Sequence, residues 1–259
     1  AGAIKSEASG LILGQIFGSL VQSIVLAINI RGRLAPFTFP AMKSIKALLR
    51  RYKRFPQFSV AAVLSNTLTQ NVLNISISSI FSVALLGYYS FANRILILPM
   101  NFLGNSIGQV FFQEATSEKN ETGGALKTFK STFWKLTALS LVGFGILHFI
   151  IQDLFVIVFG KNWEQAGIYA RYLIPMMAVK FVISPLSAIN NIFNKQYISL
   201  VWQVGYLSLT IIGLGLVDYF ELAFSSFINI YALVMALYYL LMLPFIFTFA
   251  RGSNIPKSS

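Results

Sequence analysis

The sequence has no cysteine, one histidine and eight acidic residues in 259. Without cysteine there are no disulfide frameworks, zinc–thiolate sites, iron–sulfur clusters or cysteine nucleophiles. One imidazole and few carboxylates leave little to hold a metal ion, so neither metal nor cofactor is expected. No Walker loop, GxSxG or HExxH motif occurs, and no carboxylate pair is placed for glycosidic or phosphoryl chemistry. The chain therefore does not read as an enzyme. Charge is scarce too: 11% of residues carry it, against roughly 25% in ordinary globular chains. That excludes disordered, fibrous and ordinary soluble classes. The first residue is Ala1 and no cleavable signal peptide follows, which reads as a piece of a longer chain.

Apolar residues dominate. They make up 56% of the chain, with 24 phenylalanines, and the mean hydropathy is +0.71. A spanning helix needs about 20 mostly apolar residues to cross ~30 Å of hydrocarbon. Seven stretches qualify, at about 8–30, 59–81, 86–112, 133–159, 170–193, 198–217 and 223–249. The expected class is an all-α polytopic membrane protein with about seven transmembrane helices.

Net charge is +12, with 20 Lys and Arg against eight acids. Such a balance fits nucleic acid, anionic lipid or an anionic substrate. Long apolar runs separate the basic clusters, so no nucleic-acid partner is expected. Threading the seven spans alternately collects Arg31, Arg33, Lys43, Lys46, Arg50, Arg51, Lys53, Arg54, Lys119, Lys127, Lys130, Lys135, Lys195, Arg251 and Lys257 on one side. Only Lys5, Lys161 and Arg171 fall on the other. Because basic loops stay cytoplasmic, the N-terminus is expected outside and the C-terminus inside.

The segment 31–58 forms a cytoplasmic connector between the first span (1–30) and the remaining six (59–250), with a short tail at 251–259. Within it Met42, Ile45, Leu49 and Tyr52 share one helical face, and Lys43, Lys46, Arg50, Lys53 and Arg54 occupy the others. A basic amphipathic helix of this kind suits the anionic inner leaflet. The plainer reading is a connector that satisfies the positive-inside rule.

Polar columns run inside three spans. In the second, Asn66, Gln70, Asn74 and Ser78 recur every four residues, flanked by Thr67 and Asn71. The third carries Arg94, Asn101, Asn105 and Gln109; the fifth carries Lys180, Ser184, Ser187, Asn191 and Asn194. Residues four apart share a helix face. Amides facing hydrocarbon would lack partners at a cost of several kcal/mol, so the columns should face the bundle or water. Single polar residues serve as interhelical glue; three columns point instead to a hydrated cavity.

Arg94 and Lys180 lie ~12 Å and ~15 Å inside their spans at 1.5 Å per residue. A charge at mid-membrane costs about 2.5–3.5 kcal/mol on insertion scales and is rare without a role. No acid is available at that depth: Glu114 and Asp153 sit toward span edges, and Asp218 and Glu221 in a turn. An unpaired cationic cavity suits a phosphate or pyrophosphate. The alternatives are snorkelling or an acid on helices outside this chain. His148 reads as an interhelical hydrogen-bonding group. Gly10, Gly14 and Gly18, and Gly104 with Gly108, form small-residue faces for close helix packing. Pro99, Pro175, Pro185 and Pro244 mark kinks within spans.

Three stretches carry a family resemblance. Residues 87–116 read GYYSFANRILILPMNFLGNSIGQVFFQEAT, 159–175 read FGKNWEQAGIYARYLIP and 185–196 read PLSAINNIFNKQ. Together they resemble the Wzx-type oligosaccharide flippases, the polysaccharide transporter branch of the MOP superfamily. The resemblance covers about residues 50–250. It implies two pseudo-symmetric lobes around a central cavity in the bacterial inner membrane. Polyprenyl-pyrophosphate-linked oligosaccharide would cross by alternating access, for O-antigen or exopolysaccharide synthesis. On that plan the first span is the last helix of the N-terminal lobe, the basic segment is the inter-lobe connector, and spans two to seven are the C-terminal lobe. Most of the N-terminal lobe would lie outside this chain and act as its partner. Arg94 aligns with a cationic cavity residue of the signature helix. The expected cavity residues are Arg94, Lys180, Asn66, Gln70, Asn74, Asn101, Asn105 and Asn191.

The main rival is an ion-coupled drug or metabolite antiporter of the same superfamily. Such coupling usually uses an intramembrane carboxylate, and this segment has none at mid-depth. A retinal protein or receptor would need an acidic counter-ion for Lys180. A polymerase or ligase acting on the same lipid-linked sugars would carry a large outer loop, and the outer loops here are short.

Overall fold

A computed structural model describes residues 8–31, 42 and 54–252. The expected amphipathic helix of the connector, apart from Met42 and Arg54, and the tail beyond Gly252 lie outside the described residues. Two compact units result, Ala1–Arg51 and Tyr52–Ser259. The first holds α1 (Ala8–Arg31), whose apolar stretch Ile16–Ile28 exposes side chains such as Phe17 and Ile28.

The second unit is built of helices alone among the described residues. Helix α2 (Arg54–Ser76) passes into a π-helical turn, Ile77–Phe81. Ser82 then breaks the chain with an extended backbone, and its hydroxyl accepts the Leu85 N–H at 3.1 Å to cap α3 (Val83–Pro99). A second π-helical segment, Met100–Gly104, joins α3 to α4 (Asn105–Thr122). Next come α5 (Leu126–Phe159), α6 (Glu164–Leu186), the short α7 (Ile189–Ile192), α8 (Gln196–Tyr219), α9 (Phe224–Leu240) and α10 (Met242–Ala250).

Five stretches are long and apolar enough to cross a membrane: Val83–Thr122, Leu126–Phe159, Lys161–Ile192, Gln196–Val217 and Phe224–Ala250. Helix α2 falls short because its polar column lowers its hydropathy. The protein is thus an all-α, multi-pass membrane protein. The third and fourth rods exceed their apolar stretches: α4 runs to Thr122 rather than 112, and α5 starts at Leu126 rather than 133. The extensions hold each other. Glu118 on α4 accepts the Lys127 N–H at 3.0 Å and the Thr128 N–H at 2.8 Å, satisfying first-turn donors of α5. Gly123, at φ 81°, ends α4 in the left-handed conformation that glycine adopts without penalty.

Helix α6 is the staff of the core, packed on α5, α9 and α3. Leu173, Met176, Met177 and Phe181 are buried along it. Gly167 permits the tightest part of the α5–α6 contact: a Cβ there would lie 3.0 Å from both Gln152 Cα and Phe155 Cβ. The outward faces are apolar as well, with Leu141, Phe149 and Ile157 of α5 largely exposed. Lipid is the solvent that suits such a surface.

The bundle has a basic end and an aromatic end. At the first, Ala125 N–H donates to Ala250 O at 2.8 Å and Lys119 Nζ to Ile192 O at 2.6 Å. These bonds gather the turns bearing Lys127, Lys195 and Arg251. At the second, Phe91 and Trp163 rings are 4.4 Å apart and Phe81 and Phe224 5.0 Å apart.

The glycine pair Gly104 and Gly108 does not mediate the expected close approach. A Cβ on Gly104 would meet nothing within 4 Å, and one on Gly108 would touch Pro185 Cβ at an ordinary 3.6 Å. The reason is the site they border: this face of α4 looks onto open space.

Candidate functional site

The polar columns of α2, α3–α4 and α6 meet in three cavities that share walls. A cavity of about 620 Å³ lies toward the basic end, lined by Asn101, Asn105, Gln109 and Gln113 of one rod and Ser184, Ser187 and Asn191 of the other. The middle cavity, about 530 Å³, is lined by Asn66, Gln70, Asn101, Lys180, Gln203 and Tyr239, among others. A third, about 360 Å³, holds Gln70, Asn74, Ser90, Asn93, Arg94 and Asn101. Asn101 lines all three, and Gln70 lines two. All eight residues singled out from the sequence therefore lie in this connected set: Arg94, Lys180, Asn66, Gln70, Asn74, Asn101, Asn105 and Asn191.

Backbone irregularities make the site. Pro99 has no N–H to donate and crowds the carbonyl of Ile95 one turn back. The helix responds by widening into the π segment Met100–Gly104, and Met100, Asn101 and Gly104 all line the first cavity. In α6, Pro185 acts similarly: the helix stops at Leu186 and restarts at Ile189. This break corrects the expected fifth-span column at its end. Ser184, Ser187 and Asn191 stay on the cavity wall, whereas Asn194 enters a turn at φ 56° and lines none of the cavities. Ser78 leaves the second-span column in the same way: it lies in the π turn after α2 and donates to Ile75 O at 2.8 Å. Thr67 and Asn71 are exposed and outside the cavities, as is half-buried His148 beside Phe149.

The two cations differ in setting. Arg94 is exposed in the third cavity and makes no hydrogen bond or ion pair among the described residues. Lys180 is half-buried. Its ammonium lies 5.2 Å from the Tyr239 ring centre and 5.4 Å from that of Tyr206, with no carboxylate partner among the described residues. The Tyr206 ring is fixed from behind. Tyr231 OH donates to Tyr206 OH at 3.2 Å and lies 3.3 Å from Thr210 Oγ1. Ring quadrupoles attract a cation without supplying it with a counter-anion.

Helix α8 contributes residues that the columns did not reveal. Ser199, Trp202 and Gln203 line the middle cavity. Trp202 stacks on Tyr238 at 4.7 Å, and Tyr238 OH donates to Trp202 O at 2.8 Å. Gly205 makes room for that hydroxyl, which a Cβ would strike. Trp202 Nε1 and Gln203 Oε1 are buried without a partner. The sequence signal was one i, i+4 polar pair in an apolar helix, too short to separate from interhelical glue.

An amide- and hydroxyl-lined cavity can hydrogen-bond many hydroxyl groups, and two unpaired cations can hold an anion. Residues 3–167 match a protein family described as polysaccharide biosynthesis protein. The match includes α1 to α5 and ends at the start of α6. Neither the comparison with curated proteins nor that with solved structures finds a match.

Proposed function

Because the chain belongs to the polysaccharide biosynthesis protein family, we propose that it is a flippase for polyprenyl-pyrophosphate-linked oligosaccharide, moving it from the inner to the outer leaflet of a bacterial inner membrane. One observation carries this reading: the connected polar cavities hold two cations without carboxylate partners among the described residues, inside a bundle whose exterior is apolar. Sugar hydroxyls match the amides of Asn66, Gln70, Asn74, Asn101, Asn105 and Asn191. The pyrophosphate matches Lys180 and Arg94, whose N–H groups can donate to its oxygens.

The positive-inside pattern supports a cytoplasmic basic end. On the two-lobe plan that the resemblance implies, a second lobe would face these columns across the cavity. Rocking of the lobes would expose it to each leaflet in turn, and the irregular backbone at Pro99 and Pro185 is where such bending costs least. An ion-coupled antiporter is the less favoured reading, because no carboxylate lines the three cavities.

Complementation tests the proposal. A host deleted for the gene should regain surface polysaccharide with the intact gene. It should not regain it with an Arg94→Gln, Lys180→Gln version present at equal abundance. Full restoration by the double variant would contradict the cationic-cavity reading.

A further inference from the structure

A separate groove lies on the outside of the bundle at its basic end. It encloses about 550 Å³ between α5 and α10, lined by Phe129, Lys130, Phe133 and Trp134 on one side and Leu243, Pro244 and Phe247 on the other. None of these residues borders the central cavities. Its wall is aromatic: Phe129 packs on Phe133 at 6.4 Å and on Phe247 at 5.9 Å, and Phe133 on Trp134 at 5.3 Å. Trp134 is 67% exposed, the placement of an indole at a membrane interface.

The rim is cationic. Arg251 sits 5.0 Å from the Phe247 ring centre and Lys130 Nζ 6.0 Å from it, on the two sides of the groove. Both are exposed, and neither side chain has a hydrogen bond or ion pair among the described residues. The carboxylate of Glu118 is engaged by the Lys127 and Thr128 backbone amides. The groove thus joins an apolar trough to two positive charges beside the same Phe247 ring.

We infer that this groove is a binding site for an anionic phospholipid of the leaflet at the basic end: one acyl chain lies along Phe133, Trp134 and Phe247, and the phosphate sits between Lys130 and Arg251. A zwitterionic lipid fills the trough equally well but brings a choline toward two cations, so the charges give the selectivity. Two basic groups near an anionic headgroup together correspond to roughly thirtyfold preference. The site is independent of the flippase reading.

Native mass spectrometry of the full chain tests it, with phosphatidylglycerol and phosphatidylcholine of identical acyl chains. The wild type should retain one phosphatidylglycerol with roughly thirtyfold preference. Lys130→Gln with Arg251→Gln should bring the two lipids to near parity, whereas Lys195→Gln, a charge removed at the same end, should leave the preference intact. Trp134→Ala should weaken both lipids together, and soluble glycerol phosphate should not compete. Equal retention of both lipids by the wild type, or selectivity that survives the double variant, would overturn the assignment.

Discussion

The Lys180 ammonium sits over two tyrosine rings, 5.2 Å from Tyr239 and 5.4 Å from Tyr206, in a cavity otherwise lined largely by amides, hydroxyls and thioethers. A carboxylate in that place would neutralise the charge and leave nothing for a ligand. Two ring faces offset part of the cost of holding a cation away from bulk water, about 2 kcal/mol or more when desolvated. They leave its hydrogen-bonding capacity open.

Lys180→Gln should therefore lower transport strongly with normal abundance in the membrane. A hydrogen bond to a charged group is worth about 1.5–3 kcal/mol, which sets the loss at roughly ten- to a hundredfold. Export rate at matched expression is the readout. Arg94→Ala should act in the same direction with a smaller effect, since Arg94 is the more exposed of the two.

Because the chain has no cysteine, single cysteines report cleanly on water access. Asn74→Cys and Asn105→Cys should react with membrane-impermeant thiol reagents, each from at least one side of the membrane. Leu141→Cys and Phe149→Cys, on the apolar outer face of α5, should be protected. Protection of Asn74 and Asn105 in every condition would make the columns packed glue.

The glycines separate packing from cavity. Gly167→Ala places a methyl 3.0 Å from Gln152 Cα, and overpacking of this kind costs about 1–3 kcal/mol. Gly104→Ala adds a methyl in open space and should leave thermal stability unchanged or raise it slightly. Thermal unfolding of the two purified variants in the same detergent distinguishes them.

Glu118→Ala should remove the two acceptors at the start of α5. Loss of a helix cap costs about 0.5–2 kcal/mol. Amide hydrogen exchange at Lys127 and Thr128 should quicken, while Glu118→Gln, which keeps one oxygen acceptor, should retain part of the protection.

Residues four apart stay together wherever the helix stays regular, so Asn66, Gln70 and Asn74 could be read as a wall from spacing alone. The approximate positions of the rods were legible because hydrocarbon demands long apolar runs. Periodicity could not say how the helix rearranges after Pro99, where it widens, or after Pro185, where it stops, and so it carried Asn194 too far along the column. It was also blind to partners in space. Nothing near Gly167 announces Gln152, and a lone Ser199–Gln203 pair looks like glue until α2 and α3 are seen across from it. The extensions of α4 and α5 were missed because Glu118 serves a helix beyond its own turn.

The leaflet in which the lipid-linked oligosaccharide accumulates when the intact gene is deleted in its host tests the flippase reading. Accumulation in the inner leaflet, with surface polysaccharide lost, is the predicted result. Normal transfer to the outer leaflet, with altered tolerance to drugs or ions instead, would contradict the flippase account and favour an antiporter.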